Sequence, residues 1–292
     1  FIAGNSLNKT SKTYYTRGYG LKQDKVDLHI HTSASDGTWT VEEVVENIIK
    51  NDIKIFSITD HNSVENVEKV KLLAKKAGLT FITGVEIDTT YDGGNYHILG
   101  YGIDIYNEEL LELISANAKI MEMKDEESIE FLEKKGLNVS LADYRNYQND
   151  NKRGGWKALN YLIDKEICKS TKEFFPLFEG WGNPFEKTEF PNPKEVIEAI
   201  KKAGGIAILA HPGAPFYRLD YNVLVHAMVK EGIMGIECYH PENNDQVTQF
   251  CLDFCKRNNL YITGGSDCHG TFFTQRCLGK PSITSEDIVL DL

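Results

Sequence analysis

Hydrophobic positions change period along the chain, and the changes mark its elements. In "KVDLHIH", Lys25–His31, the residues Val26, Leu28 and Ile30 alternate with Asp27, His29 and His31. That two-residue period predicts a strand with one apolar face and one face carrying two imidazoles and a carboxylate. "TVEEVVENIIKND" repeats its apolar residues at helical spacing, and Thr40 with Glu43 three residues on makes a capping box. "IKIFSITDH" is a β-rich run, and "SVENVEKVKLLAKKAG" is a second helix that Gly78 stops. "LTFITGVEID" and "NYHILGYGI" are β-rich and are separated by the hairpin-type turn "YDGG". The same alternation returns late, from "NPKEVIEAIKKAGG", with Asn192 as cap and Pro193 at the first helical position. It continues through "IAILAHP", "VLVHAMVKEG", "MGIECYHP", "NDQVTQFCLDFCKRNN" and "LYITGGSDCHG".

Alternating β and α runs predict an α/β fold with a mostly parallel sheet or barrel. Four segments follow: residues 1–24 as an N-terminal extension, 25–106 and 192–292 as two parts of one βα unit, and 107–191 as an insert between them. The insert opens on the strongly helical "EELLELISANAKIMEMKDEESIEFLEKKG". It then carries many aromatics, among them Tyr144, Trp156, Tyr161, Phe174, Phe178 and Phe185, which are expected to form mostly its own core.

Seven of the eight histidines lie in or just after a β-type run: His29, His31, His61, His97, His211, His240 and His269. His226, on a predicted helix, reads as an ordinary core or surface residue. Packing does not explain why strands scattered through the chain each end in histidine. Carboxylates share these addresses: Asp36, Asp60, Glu86, Glu237 and Asp267. In a parallel barrel the strand ends converge on the face that carries the active site. Imidazole mixed with carboxylate suits Zn, Mn or Fe, whereas Ca and Mg prefer oxygen alone. One ion needs three or four protein ligands, and about nine candidates converge here, so two or three ions are expected. No GxSxG, P-loop or strand-following GxGxxG competes with this reading.

Composition then narrows the partners. The net charge of −11 argues against a duplex nucleic-acid footprint, and no apolar run is long enough to span a bilayer. The six cysteines form no CxxC and read as buried free thiols of a reducing, cytoplasmic compartment. The first 24 residues lack an apolar signal-peptide core.

"DLHIHTSASDG", "TDH", "GVEI", the histidine before "ILGYG", "AHPG" and "GSDCH" resemble the motifs of the PHP (polymerase and histidinol phosphatase) phosphoesterases, in the family's order. The resemblance implies a distorted seven-stranded (β/α) TIM-like barrel with a trinuclear metal centre. Carried over position by position, it implies the metal ligands His29, His31, Asp36, His61, Glu86, His97, His211, Asp267 and His269. It groups them as His29, His31, Glu86 and Asp267 for a first ion. Glu86 bridges to a second, completed by His97 and His211, and Asp36, His61 and His269 hold a third. The insert, and "GIECYHP" followed by Glu242 and Gln246, resemble the branch of nucleoside 3′,5′-bisphosphate phosphatases and short-RNA 5′→3′ exoribonucleases. Where that branch has a Gly-Arg-Pro-His-like stretch, this chain has "RGGWKALNYL", with Trp156 at a polar position. That departure bears on the substrate and not on the metals.

Six neutral imidazoles and three carboxylates carry about −3, so three divalent ions leave the cluster near +3, a trap for a phosphomonoester dianion. The expected reaction is hydrolysis by a hydroxide held between two metals, on a small anionic phosphate ester, with a nucleotide as the expected substrate. Glu86, His240 and Asp267 are the expected catalytic residues, and His240, Arg153 and Arg276 the expected substrate contacts. Asp27 is a candidate to orient an imidazole, and Asp60 and Glu237 are candidates to do the same or to cap and bridge loops. Three other readings stay open: a histidinol-phosphate phosphatase, a polymerase-associated PHP exonuclease, and a non-catalytic metal-binding module. Metal identity and oligomeric state are not legible in the residues.

Overall fold

The computed structural model describes residues 23–291, so the N-terminal extension lies, but for its last two residues, outside the described part. The first part holds β1 (Lys25–Asp27), α1 (Val41–Lys50), β2 (Ile53–Ser57), α2 (Val67–Ala77), β3 (Thr80–Ile82), β4 (Gly84–Tyr91) and β5 (Gly94–Tyr101). The helices α3 (Glu108–Lys134), α4 (Leu141–Asn146), α5 (Lys157–Asp164) and α6 (Thr171–Phe174) follow. The last part holds α7 (Pro193–Lys202), β6 (Ile206–Leu209), α8 (Tyr221–Glu231), β7 (Gly235–Tyr239), α9 (Asp245–Asn258), β8 (Tyr261–Gly264) and β9 (Ile283–Thr284).

Local signals act where the residues place them. Thr40 Oγ1 accepts the Glu43 amide at 3.3 Å, and Glu43 returns a carboxylate oxygen to the Thr40 amide at 2.8 Å. Asn192 and Glu195 close the same box on α7, with Pro193 inside it. Thr40→Ala should therefore destabilise the protein by about 1 kcal/mol, read as a shift in urea midpoint at unchanged slope. Gly78 ends α2 in the left-handed conformation, as its position predicts.

The sheet departs from the expected closed barrel. The strands of the described residues pair as a four-stranded sheet, β3-β2-β1-β9, and a five-stranded sheet, β4-β5-β6-β7-β8. The pairs β1–β2, β2–β3, β6–β7 and β7–β8 are parallel, but β4–β5, β5–β6 and β1–β9 are antiparallel. The cause is local at β4–β5: only Asp92 and Gly93 separate these strands, which leaves no chain for a crossover helix.

The two sheets abut at two short seams. At one, the Leu28 amide donates to the Gly264 carbonyl at 3.2 Å and Ile30 bridges Cys268 in parallel. Gly265 permits this approach, since a Cβ there would fall 2.4 Å from the His29 backbone nitrogen. At the other, His61 bridges Glu86, and the Asn62 amide donates to the Glu86 carbonyl at 2.8 Å.

Apolar residues of β4–β8 pack against α7, α8 and α9, and Val44, Ile48, Ile53, Phe56 and Val70 form a second core under α1 and α2. Ile129, Leu132, Tyr144, Leu159, Tyr161, Phe174 and Phe178 form a separate core among α3–α6. Five cysteines are buried; Cys277, expected to be buried, is exposed because it sits in the loop before β9. No helix among the described residues is long and apolar enough to cross a membrane.

Candidate metal centre

The two seams bring the candidate ligands together. His29 and His31 continue past β1 along the first seam, facing Asp267 and His269 on the other side. His61 and Glu86 form the second seam directly. His97 comes from β5 and His211 from just beyond β6. Asp36 sits in a turn that Asp60 braces: Asp60 accepts the Thr32 amide at 2.7 Å, the Thr32 hydroxyl at 2.8 Å and the Ser35 hydroxyl at 2.6 Å.

His29 Nε2, His31 Nε2, Glu86 Oε2 and Asp267 Oδ1 converge on one point. His29 lies 3.1 Å from His31, 3.1 Å from Glu86 and 3.4 Å from Asp267. His31 lies 3.1 Å from both Glu86 and Asp267. Bonds of about 2.0–2.1 Å to a tetrahedral ion place neighbouring ligand atoms about 3.3–3.4 Å apart. Hydrogen bonding alone does not satisfy this arrangement, because two imidazole nitrogens face each other while two carboxylate oxygens compete for the same proton. Asp267 Oδ1 is buried and accepts no well-formed hydrogen bond. The donor set fits a divalent transition ion.

The other carboxylate oxygen of Glu86 serves a second group. Oε1 lies 3.0 Å from His97 Nδ1 and 2.9 Å from His211 Nε2, and those two nitrogens are 3.3 Å apart. A third group gathers Asp36, His61, His269 and His31, with Asp36 Oδ2 3.2 Å from His269 Nε2. His61 Nε2 also stands 3.5 Å from Glu86 Oε2, so the groups are contiguous.

Residues 27–176 match the family model described as "PHP domain". The chain belongs to the PHP domain family, and it is a metal-dependent phosphoesterase. A 5′-3′ exoribonuclease of Haemophilus influenzae is 30% identical over 84% of this chain and 90% of its own length. A phosphoribosyl 1,2-cyclic phosphate 1,2-diphosphodiesterase of Eggerthella lenta is 26% identical over 84% of this chain and 94% of its own. A 3′,5′-nucleoside bisphosphate phosphatase of Chromobacterium violaceum is 26% identical over 84% and 87%. Among solved structures, a Bifidobacterium adolescentis protein provisionally described as a metal-dependent phosphoesterase superposes with a TM-score of 0.73. It is 25% identical, over 91% of this chain and 92% of its own.

Around the candidate ligand set, other groups fix ring orientation. Glu237 accepts from His29 Nδ1 at 2.9 Å, which leaves Nε2 for the first group, and its second oxygen accepts the His211 amide at 2.8 Å. His240 Nδ1 accepts the Glu242 amide at 3.0 Å, so its Nε2 carries the proton and faces Asp267 Oδ2 at 3.2 Å. Arg276 meets the same oxygen of Asp267 and reaches Glu242 at 3.4 Å. Asp27 does not orient an imidazole as expected: its carboxylate accepts backbone amides from both sides of the first seam. Arg153 is held at 2.8 Å by Asp164 and at 3.1 Å by Tyr147, so contact with a substrate would require it to leave that ion pair. Sequence patterns passed over Asp88, which faces His97 Nε2 at 3.2 Å. Its one signal was position, two residues after Glu86 on the same face of β4.

The electrostatics of these residues call for added positive charge. Burial pushes the His31 imidazole down, but the nearby carboxylates of Asp267 and Glu86 outweigh burial and raise its pKa to about 10. His97 is likewise raised to about 10, with Glu86 and Asp88 together outweighing burial. Burial raises Glu86, yet His29, His61 and His97 hold it well below the usual carboxylate range. Without an ion these imidazoles hold protons at neutral pH, and a bound ion must displace them. Metal binding at pH 7.5 should therefore release protons, and affinity should climb as pH rises towards 10. Calorimetric titration in buffers of different ionisation enthalpy measures this, and an apparent enthalpy independent of buffer would contradict it.

Proposed function

We propose that the chain hydrolyses a phosphomonoester on a nucleotide, either a nucleoside 3′,5′-bisphosphate or the 5′ end of a short oligoribonucleotide. The observation that carries this reading is Glu86, whose two oxygens each serve a different imidazole group. Adjacent ion sites sharing one carboxylate match the demands of phosphoester hydrolysis, where attacking and leaving oxygens both need charge stabilisation. The names of the Haemophilus and Chromobacterium relatives support nucleotides as the substrate class.

The nine residues His29, His31, Asp36, His61, Glu86, His97, His211, Asp267 and His269 would hold two or three ions of Mn, Fe or Zn. Such ions, when bound, lower the pKa of water and polarise the phosphoryl oxygens. The chain's own residues set the frame for that chemistry. Glu237 selects the His29 tautomer, and His240 donates its Nε2–H to Asp267 Oδ2 and so holds that carboxylate in place. Arg276, mostly buried against Asp267, is better placed than Arg153 to meet a phosphate. Residues 107–191, with their own core, act as a cap over the site, within one distorted barrel-like PHP unit formed by 25–106 and 192–292. The acidic balance keeps duplex nucleic acid out of the substrate range.

Metal-loaded protein should release phosphate from 3′-phosphoadenosine 5′-phosphate or mononucleotides from a short 5′-phosphorylated RNA. Histidinol phosphate and a ribose 1,2-cyclic phosphate should be turned over far more slowly. Inertness toward both nucleotide substrates, with ions bound by elemental analysis, would remove the reading.

A further inference from the structure

Asn117 lies within α3 and is fully buried. A buried amide in a helix interior is costly unless it is hydrogen-bonded, so its partners indicate its use. Its Nδ2 donates to Asn62 Oδ1 at 2.8 Å and to the Asp88 carbonyl at 2.9 Å. Asn62 in turn closes on Asp88: its Nδ2 donates to Asp88 Oδ2, and its Oδ1 accepts the Asp88 amide at 3.3 Å. Asn62 holds the left-handed backbone, with φ at 47°, a conformation asparagine tolerates better than most residues. Its own amide is fixed to the Glu86 carbonyl at the second seam. Asp88 Oδ1 faces His97 Nε2, and that leaves His97 Nδ1 toward Glu86 and His211.

A histidine offers a metal either nitrogen, and the bond made by the other nitrogen decides which. We propose that Asn117 is a positioning residue: through Asn62 and Asp88 it fixes the His97 ring so that Nδ1 is offered to the Glu86–His211 group. The insert helix is thereby part of the support of one ion site, and movement of α3 changes that site before the others. The inference rests on His97 being a ligand.

Titration of metal-free protein with Co²⁺, followed by its visible absorption and by stoichiometry, separates the two. His97→Ala should remove one class of site; if the isotherm is unchanged, the ligand assignment itself fails and the inference with it. Asn117→Ala should weaken that same class by about 10–100-fold and leave the other classes at wild-type affinity. Asp88→Asn, which changes almost no volume, should give the same selective loss. A folded Asn117→Ala protein that binds every class as the wild type does, or weakens all classes equally, overturns the proposal. If Asn117→Ala does not fold, Asp88→Asn decides, and an intact His97 class in that variant overturns it.

Discussion

Glu86→Gln is expected to lose about 100-fold or more in kcat/KM, at or beyond the top of the range seen when groups supporting metal ligands are removed. Gln fills the same volume, so the loss is chemical. One carboxylate oxygen faces His29 and His31, and the other faces His97 and His211. An amide replaces one of those oxygens by an NH2 group that donates and cannot ligate, and it removes one of three negative charges in the nine-residue set. Both imidazole groups that share Glu86 should lose affinity for a metal together. The check is kcat/KM with elemental analysis of the same sample, alongside circular dichroism to establish the fold. A variant that retains its full complement of ions and its turnover would show that Glu86 does not join the two groups.

The second large effect is on stability. Asp27 is completely buried, and its carboxylate accepts the amides of His29 at 3.3 Å, Ser266 at 2.9 Å and Gly279 at 2.7 Å. Asp27→Ala strands all of these donors in the interior. At about 1–3 kcal/mol for each of the three unsatisfied groups, the loss should reach about 3–9 kcal/mol, against a typical total stability of about 5–15 kcal/mol. Asp27→Asn, which keeps one acceptor oxygen, should fall between. Urea unfolding of metal-free protein measures both, and an Asp27→Ala midpoint close to wild type would show that water replaces the carboxylate.

The addresses of the candidate ligands were legible because strand ends leave a mark in sequence: alternation in "KVDLHIH" separates His29 and His31 from Val26, Leu28 and Ile30, which are buried on the other side. The capping box at Thr40 and the cap at Asn192 were legible because the groups they serve lie three residues away. The split into two sheets was not legible, because "YDGG" announces a turn but not what it does to the neighbouring pairings. Asp27 sits on the polar face with the histidines, yet its acceptor oxygens serve amides that no local pattern connects to it. Asp88, Asn62 and Asn117 stayed hidden because each has an ordinary local role, and only the approach of α3 joins them. Arg153 stood beside a recognisable motif, but the side chain that claims it, Asp164, lies a helix away in the insert.

The seams between the sheets have a mechanical consequence. Each is held by a single backbone bridge with a few flanking bonds, far less than the full-length ladder that joins β4 to β5. The candidate ligands straddle them: His29 and His31 on one bank and Asp267 on the other, His61 and Glu86 across the second gap. An ion seated there is a rivet between chain segments as distant in sequence as those of His29 and Asp267. Chelation thus strips the catalyst and the fastening in one event, and amide exchange should quicken first along Leu28–His31 and Asp60–Asn62, the two joints that the rivets close.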